Sequence, residues 1–207
     1  MGLLRKFFNQ TRKPEGFLGK IMLMGMNSGH ASMADWGMSM LNINAPRDVL
    51  DIGCGGGRNA GEFLKRYPDA KVTAIDYSPL SVKKAREYNR AMIEAGRCSV
   101  LEGNAAALEF GADSFDLVSA FETVYFWPGL PECFREVRRV LRTGGTFIVV
   151  NEMDGLDPAG KKFEAIIEGM KDYTAGEIEE AMRASGFSEV RTVHHETKSW
   201  MMITAIK

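Results

Sequence analysis

The feature that most constrains this chain is a short apolar run that ends in a carboxylate and leads directly into a cluster of glycines. It reads Val49-Leu50-Asp51-Ile52-Gly53-Cys54-Gly55-Gly56-Gly57-Arg58. Polar, helix-compatible residues follow as far as Lys65, so the pattern predicts a buried strand, a tight turn and a helix that begins at the turn. Glycine permits the sharp turn and leaves no Cβ between the backbone and a ligand. The start of the helix offers unpaired N–H groups and a positive dipole end to a polar ligand.

A second acidic strand end follows at a distance that nucleoside-binding units share. The predicted strand 71–75 leads into Asp76, and counting from Gly57 to Asp76 gives 19 residues. In βαβ units that bind nucleosides, an acid roughly 20 residues after the loop accepts hydrogen bonds from the ribose hydroxyls. The dinucleotide pattern GxGxxG lacks its third glycine, because Arg58 stands in that place. A nicotinamide-dependent oxidoreductase is therefore the less favoured alternative.

From Val49 onward, strand-like segments alternate with helix-like segments. Predicted strands cover 49–52, 71–75, 99–102, 115–120 and 146–151, and predicted helices cover 58–67, 79–95, 129–141 and 157–171. A last helix is expected to begin at Thr174, with Glu177 completing a capping box, and to end at Gly186. Two strands, 189–195 and 199–206, then form an antiparallel hairpin. Such alternation indicates a parallel sheet whose two faces are both covered by helices.

Several motifs, in this order, resemble those of the class I S-adenosylmethionine-dependent methyltransferases. They are the glycine-rich loop at 49–57, Asp76-Tyr77-Ser78, Gly103-Asn104-Ala105, the strand at 115–118 and Leu141-Arg142-Thr143-Gly144-Gly145. The resemblance implies a Rossmann-like, doubly wound α/β fold: a mostly parallel seven-stranded sheet with an antiparallel C-terminal strand and helices on both faces. It also implies a methyltransferase of class EC 2.1.1 that uses S-adenosyl-L-methionine as its cofactor.

The resemblance assigns cofactor-binding roles to ten residues. They are Asp51, Gly53, Cys54, Gly55, Gly57, Asp76, Tyr77, Asn104, Ala105 and Phe121. The loop backbone is expected to approach the amino-acid part of the cofactor, and Asp51 to orient the loop or meet the ammonium. Asp76 would accept the ribose hydroxyls, and Tyr77 would pack against the adenine, with plain packing under the turn as its alternative. Asn104 stands where the family commonly carries Asp, and its amide can still meet the base edge. Phe121 is expected beside the methionine moiety.

The acceptor side is predicted from residues that follow the fourth strand. Glu122, Tyr125 and Trp127 leave its C-terminal end, where open α/β sheets bind ligands. His30 is a candidate base near neutral pH, although a lone histidine is more often structural. His30, Glu122 and Tyr125 are therefore the catalytic candidates. The Asn/Asp-Pro-Pro-Tyr/Phe motif of enzymes that methylate base amines or glutamine amides is absent after this strand, so a small-molecule acceptor is favoured.

The region ahead of the first strand is rich in methionine and glycine. Six methionines lie between Gly16 and Leu41, interspersed with glycines. Flexible apolar side chains and glycines suit a mobile lid that carries Asn27, His30 and Trp36 over the ligand cleft. A rigid flank of the sheet edge is the alternative. Residues 1–14 are basic with scattered aromatics, and an extra surface helix is favoured there over a weak contact with a membrane surface.

Composition contributes mainly exclusions. The formal net charge of −1 gives no general attraction to nucleic acid. The three cysteines form no CxxC pair, which disfavours disulfides and a zinc site. We therefore expect no bound metal, and we expect the protein to be in a reducing cytoplasm. No apolar run approaches the roughly 20 residues of a membrane span. We expect a cytoplasmic monomer or homodimer, with 1–45 as a helical cover and 46–207 as the S-adenosylmethionine-binding methyltransferase domain. A non-catalytic protein that binds this cofactor is the alternative from another class.

Overall fold

The structure is a computed structural model that describes residues 9–12, 14–16, 19, 21–22, 25 and 29–207. Much of the predicted basic segment, and Asn27, therefore lie outside the described residues. Seven strands form one sheet in the order β3-β2-β1-β4-β5-β7-β6. They are β1 Asp48–Ile52, β2 Lys71–Asp76, β3 Cys98–Glu102, β4 Phe115–Phe121, β5 Leu141–Asn151, β6 Ser188–His194 and β7 Met201–Ile206.

Helices alternate with these strands along the described chain. They are α1 Ala31–Ser39, α2 Arg58–Arg66, α3 Pro79–Tyr88, α4 Arg90–Glu94, α5 Leu130–Val140, α6 Pro158–Ile166 and α7 Ala175–Ala184. Ser78 caps α3 with Pro79 at the first position, and Thr174 with Glu177 forms the predicted capping box of α7. Within the described ranges, none of the helices is long and apolar enough to cross a membrane.

The sheet has the predicted mixed topology, and its two faces carry separate apolar clusters. Strands β1 to β5 run parallel, whereas β7 is antiparallel to both β5 and β6. Leu50 of β1 belongs to the cluster under α5 and α7, and its neighbour Val49 belongs to the cluster under α1, α2 and α3. Successive strand residues point to opposite faces, so both faces are covered by helices. The Rossmann-like, doubly wound α/β fold is confirmed.

The predicted helix over 79–95 is wrong in one respect, because it is broken into α3 and α4 at Asn89. This residue is 4% exposed, and its Nδ2 donates to the Gly57 carbonyl at 2.8 Å and to the Ala85 carbonyl at 3.2 Å. An asparagine side chain that bonds to backbone carbonyls competes with helix continuation. The break thus fastens the α3–α4 corner to the last glycine of the β1–α2 loop.

Two other predicted boundaries are also wrong. The helix predicted over 157–171 ends at Ile166, and Gly169 just beyond it has a φ of +72°, which an α-helix does not accommodate. The fifth strand begins at Leu141 instead of Thr146, since the double-glycine turn is part of an irregular stretch whose pairing register with β4 shifts.

The parallel strands direct the loops that follow them to one edge of the sheet. β1, β2, β4 and β5 end there, and the residues that follow include Gly53, Tyr77, Glu122 and Glu152. Helix α1 packs beside this edge, where a Cβ on Gly37 would lie 2.7 Å from Val150 of β5. Open α/β sheets bind ligands outside the carboxyl ends of their strands, so this edge is where a site is expected.

Candidate functional site

The β1–α2 loop is held in left-handed backbone conformations that glycine adopts without strain. Gly53 and Gly55 have φ values of +74° and +51°. The amides of Gly53 and Cys54 both donate to the Ile75 carbonyl, at 2.8 and 3.0 Å, which fixes the loop to β2. A Cβ on Gly53 would collide with Thr123, whereas a Cβ on Gly55 would meet nothing within 4 Å. The loop therefore turns tightly on one side and presents bare backbone on the other.

Asp76 bridges this loop to the turn after β2. Its Oδ2 accepts from the Gly55 amide at 2.9 Å, and its Oδ1 accepts from the Ser78 amide at 2.9 Å. The residue is 8% exposed, and burial raises the pKa of its carboxyl although both amides oppose the shift. Each carboxylate oxygen has a second lone pair, so the group retains capacity to accept from a ligand hydroxyl.

Asp51 lies behind the loop at the end of β1 and is 1% exposed. Its Oδ1 accepts from the Ser119 hydroxyl at 2.8 Å, but its Oδ2 has no hydrogen-bond partner in the described chain. Burial raises the pKa of this carboxyl to about 7, the Ser119 hydrogen bond opposes the shift and the charge of Asp76 adds to it. A buried carboxylate with one unmet oxygen suits a cationic ligand group nearby.

A narrow cleft of about 90 Å³ opens over the loop. Its lining includes six of the ten predicted cofactor residues, namely Gly53, Cys54, Gly55, Asp76, Tyr77 and Phe121. It also includes two of the three catalytic candidates, His30 and Glu122. Around one cleft, the structure therefore brings together predicted site residues that are up to about ninety positions apart in the sequence.

Four predicted cofactor residues lie outside this lining. Asp51 is behind the loop, and Gly57 faces α3, where a Cβ would lie 2.8 Å from Ala85. Asn104 is exposed, and its Oδ1 accepts from the Ala106 amide at 3.0 Å, which closes a local turn. Ala105 is buried in the apolar cluster under α5 and α7. The binding roles of these four residues, like those of the six that line the cleft, stay predictions.

A segment near the N-terminus lies over the turn after β2. The Tyr77 hydroxyl donates to the Arg12 carbonyl, and the Ser78 hydroxyl donates to the Pro14 carbonyl at 3.0 Å. Arg12 Nη1 in turn donates to the Glu168 carbonyl at 3.3 Å, beyond the end of α6. Tyr77 is still 42% exposed, and burial of its hydroxyl end raises its pKa to about 12. Thr11, Arg12 and Pro14 of this segment are among the residues that line the cleft.

A second and larger cavity of about 580 Å³ adjoins the cleft. Its apolar wall is formed by Met22, Phe126, Met153, Phe163, Ile167, Met170 and Trp200. Thr11, His30, Glu122 and Phe126 line both spaces, so the two cavities meet at these residues. Concave, mostly apolar cavities with a few convergent polar groups are typical small-molecule sites.

The polar groups at this junction form one hydrogen-bonded cluster. His30 Nδ1 lies 3.0 Å from Glu152 Oε2 and 3.7 Å from Glu122 Oε2. Oε1 of Glu122 accepts from the Tyr125 hydroxyl at 3.0 Å and from the backbone amide of Glu152. Glu122 has a φ of +55°, a conformation rare outside glycine and common at functional sites.

Burial and nearby charge shift the pKa values of Glu122, His30 and Tyr125. Burial raises the pKa of Glu122 to about 7, and the charge of His30 opposes that shift. Burial lowers the pKa of His30, but the Glu152 hydrogen bond and the two carboxylate charges outweigh it and raise the pKa above 6.5. Burial, followed by the charge of Glu122, raises the pKa of Tyr125. Glu122 therefore titrates near neutral pH inside this cluster.

Sequence reasoning missed Glu152 and misplaced Trp127. Glu152 directly follows β5. The rule that selected Glu122, that ligands bind beyond the C-terminal ends of parallel strands, would also have selected Glu152. Trp127 instead lies in the core, stacked near Phe147 and edge-on to Phe134, and it lines neither cavity. Its indole N–H donates to Thr123 Oγ1 at 3.4 Å.

Comparison with known proteins places this arrangement in a family. The model of a methyltransferase domain matches residues 49–145. A methyltransferase from Penicillium fellutanum, phqN, is 28% identical over 156 residues, which cover 71% of this chain and 48% of that protein. The ubiquinone/menaquinone biosynthesis C-methyltransferase UbiE of Paracoccus denitrificans is 36% identical over 118 residues, or 56% of this chain and 47% of that protein. The chain thus spans about half the length of the curated relatives it matches.

Solved structures share the fold. A putative methyltransferase in complex with the Haloferax volcanii Trm112 activator has a TM-score of 0.82 at 20% identity, covering 89% of this chain and 93% of that one. Human N-acetylserotonin methyltransferase in complex with S-adenosylmethionine has a TM-score of 0.74 at 15% identity, covering 90% of this chain and 55% of that one. Fold, loop and matched residues together define a Rossmann-like methyltransferase domain. The domain at 49–145 is of the class I S-adenosylmethionine-dependent methyltransferase kind, which implies S-adenosyl-L-methionine as the cofactor.

The residues present fit that cofactor. The unmet Oδ2 of buried Asp51 suits an ammonium group, and the open side of Gly55 leaves room for the ligand against bare backbone. Asp76, at the end of the neighbouring strand, lines the same cleft and can accept hydroxyl protons. The cleft thus offers an acceptor for an ammonium group, space against the backbone and an acceptor for hydroxyl groups.

Proposed function

We propose that this chain transfers a methyl group from S-adenosylmethionine to a small apolar acceptor bound in the second cavity. The observation that carries the proposal is the junction of the two cavities at His30 and Glu122. One cavity is built from the glycine loop and Asp76, and the other is large and mainly apolar. Relatives named as sterol 24-C-methyltransferase, from Debaryomyces hansenii, and as a ubiquinone/menaquinone biosynthesis enzyme support an apolar acceptor.

The cofactor side of the proposal assigns binding roles to the predicted residues. Gly53, Cys54, Gly55 and Gly57 shape the loop against the amino-acid part, with the Asp51 carboxylate nearby. Asp76 accepts from the ribose hydroxyls, and Tyr77 covers the adenine.

The base edge and the methionine end are assigned to three further residues. Asn104 and the Ala105 backbone would meet the base edge after a rearrangement of the local turn, and Phe121 flanks the methionine moiety. When bound, the cofactor supplies a methyl group already activated on a sulfonium sulfur. The protein's task is therefore to orient the acceptor and to exclude water.

The acceptor side assigns proton transfer to the junction cluster. His30 accepts a proton from the acceptor, and its Nδ1 contact with Glu152 at 3.0 Å orients the ring so that Nε2 is free to act. Glu122 supports the resulting positive charge from 3.7 Å. Tyr125, which donates to Glu122, holds that carboxylate in place. Because the cavity wall contains Met153, Ile167 and Met170, it favours an acceptor with an apolar body and one polar reacting group.

The N-terminal residues are proposed as a cover, as residues 1–45 are in the sequence-based prediction. Thr11 lines both cavities, and Asp35 of α1 forms a 2.7 Å ion pair with Arg58 at the start of α2. Trp36 packs against Trp200, which lines the acceptor cavity, with ring centroids 6.1 Å apart. The cover thus connects both ligand spaces. The three buried free cysteines fit a reducing cytoplasm, and the enzyme is expected to act there as a monomer or homodimer.

Two measurements test the proposal. Calorimetric titration should show binding of S-adenosylhomocysteine and none of NAD. A panel of apolar acceptors incubated with methyl-labelled cofactor should then yield labelled organic-soluble product. Cofactor binding without transfer to any acceptor in a broad panel would favour the non-catalytic alternative, and binding of NAD alone would contradict the assignment.

A further inference from the structure

We propose that His30, Glu122 and Glu152 form a binding site for a first-row divalent cation, with Mn²⁺ and Zn²⁺ preferred over Mg²⁺. This inference rests on the proposed function only in that the site adjoins the acceptor cavity. The three side chains each supply one ligand atom, and all these atoms lie within 4.8 Å of one another. Nitrogen and oxygen ligands at about 2.0–2.2 Å from one ion lie roughly 3–4.5 Å apart, so only small side-chain movements are needed.

The carboxylate of Glu122 is already oriented for such a role. Its Oε1 is occupied by two donors, the Tyr125 hydroxyl and the Glu152 amide, so its Oε2 is the atom that faces His30. The Tyr125 oxygen in turn accepts from the Met153 amide at 3.2 Å. Outer hydrogen bonds of this kind fix metal-binding carboxylates in position and are part of the design of metal sites.

The charge balance of the cluster also favours a cation. Two carboxylates converge on one imidazole, and no lysine or arginine of the described chain forms an ion pair with either carboxylate. A dication would neutralise both. One imidazole with two carboxylates is a mixed nitrogen and oxygen set, which suits Mn²⁺ and Zn²⁺ better than Mg²⁺, a cation that prefers oxygen ligands alone.

The site would keep coordination positions open to the acceptor. His30 and Glu152 side chains are about one third exposed, and both line the acceptor cavity. Three protein ligands with open positions are the arrangement of catalytic rather than structural metal sites. An ion there would bind an acceptor through oxygen, so the acceptor class it indicates is an apolar molecule with a hydroxyl group. With Nδ1 of His30 as a ligand, the ion would take over from that imidazole the task of promoting loss of the hydroxyl proton.

The sequence predicted no metal site, because the prediction was based on cysteine spacing. The three ligands contain no cysteine and come from three distant stretches: the residue ahead of α1 and the residues that follow β4 and β5. Short-range ligand motifs are what a sequence search detects. A set assembled only by the fold leaves no such signal.

The test uses the full chain without an affinity tag, stripped with a chelator and titrated with MnCl₂. Electron paramagnetic resonance of free Mn²⁺ and calorimetry should both report one saturable site, and ZnCl₂ should compete for it. Glu152→Gln and His30→Gln should each weaken Mn²⁺ binding at least about 10-fold, since even outer-shell changes cost 10–100-fold. Glu109→Gln, on an exposed loop, is the matched control and should bind Mn²⁺ as the unaltered chain does.

S-adenosylhomocysteine titrations on the same preparations separate this inference from the proposed function. Normal S-adenosylhomocysteine binding without saturable Mn²⁺ or Zn²⁺ binding would overturn the cation site and leave the methyltransferase proposal standing. Equal Mn²⁺ affinity of the unaltered chain and Glu152→Gln would also overturn it. Mn²⁺ binding that is lost in both variants, with S-adenosylhomocysteine binding retained, supports it and shows that the variants are folded.

Discussion

The cofactor cleft and the acceptor cavity are adjacent, but they are built in different ways. Nearly half of the residues that line the cleft come from the consecutive stretch between β1 and the start of α3, where backbone amides are bonded to Asp76. The cavity is assembled from side chains of the N-terminal region, the β4 and β5 ends, α6 and the approach to β7. A site that holds its ligand through backbone groups requires one particular loop conformation. A cavity lined by side chains can instead acquire a different ligand specificity through substitution of those side chains.

The comparison predicts that Asp76 has the largest effect on cofactor binding. Asp76→Ala should weaken S-adenosylhomocysteine binding by about 3–6 kcal/mol, because two charge-assisted hydrogen bonds of roughly 1.5–3 kcal/mol each are lost. Calorimetry measures this, and Asp76→Asn should retain part of the affinity. Asp69→Ala, exposed on the turn ahead of β2, is the control. A dissociation constant unchanged in Asp76→Ala would show that the ribose is held elsewhere.

Substitution of His30 should distinguish the acceptor cavity from the cofactor cleft most clearly, because it should slow methyl transfer without weakening cofactor binding. His30→Gln should lower kcat by about 10²- to 10⁴-fold, the usual contribution of a general acid or base. S-adenosylhomocysteine affinity should stay within about twofold, because the cofactor contacts are made by other residues. His194→Gln, on the exposed edge strand β6, should have normal kcat. Parallel losses of kcat and cofactor affinity in His30→Gln would mean that the histidine serves the cleft instead.

The raised pKa of Asp51, on the cofactor side, predicts that the stability of the protein depends on pH. Its folded pKa of about 7 lies above the ordinary value of 3.8, so its contribution to stability is complete below that value and is lost as the pH rises through 7. The Asp51→Asn variant lacks this loss. Its free energy of unfolding relative to the unaltered chain should therefore rise between pH 5 and pH 8, by at most about 3 kcal/mol, since roughly two pH units separate pH 5 from the folded pKa and each contributes about 1.36 kcal/mol.

Urea denaturation of both proteins across this pH range measures the difference. Titrations common to both chains cancel in it. Saturating S-adenosylhomocysteine should reduce the difference, since its ammonium would offset the Asp51 charge. A difference that is independent of pH would contradict the assigned pKa.

A smaller effect is expected from the wall of the acceptor cavity. Met153→Ala should raise the KM for the acceptor about 10-fold, since truncating a contacting methionine removes roughly 1–2 kcal/mol of apolar burial. Cofactor affinity should not change, because Met153 lines only the second cavity. Met40→Ala is the matched control, with a methionine 48% exposed at the end of α1. An equal rise in KM for both variants would argue against this cavity as the acceptor site.

The smallest effect concerns the cover. Peptides from residues 9–41 should exchange amide hydrogens more slowly when S-adenosylhomocysteine is bound, because Arg12, Pro14 and His30 line the cofactor cleft and a ligand there would add contacts to this region. Hydrogen exchange with mass spectrometry measures this, and β7 peptides serve as the internal control. Equal protection with and without the ligand would favour a rigid flank instead of a lid.

The same comparison explains what the sequence could predict. The glycine loop, Asp76 and the Ser78 cap were predictable because their signals are local, as was the alternation that defines the sheet. The partnership of His30 with Glu122 and Glu152 was not, since it depends on how the end of β5 and the residue ahead of α1 meet in space. Trp127 was misplaced because a residue just after a strand end can turn back into the core. The break at Asn89 was missed because its cause is a contact with Gly57 rather than local propensity.

That last contact has a consequence for protein engineering. The loop from Gly53 to Gly57 fits against Thr123 at one end and against Asn89 and Ala85 at the other, with no space for a Cβ at either. Grafting the loop alone into another α/β scaffold would therefore leave its ends unsupported. A transplant would have to carry the α3–α4 corner and the residue two positions after β4 as well. The smallest portable unit is three separated pieces of chain, not one motif.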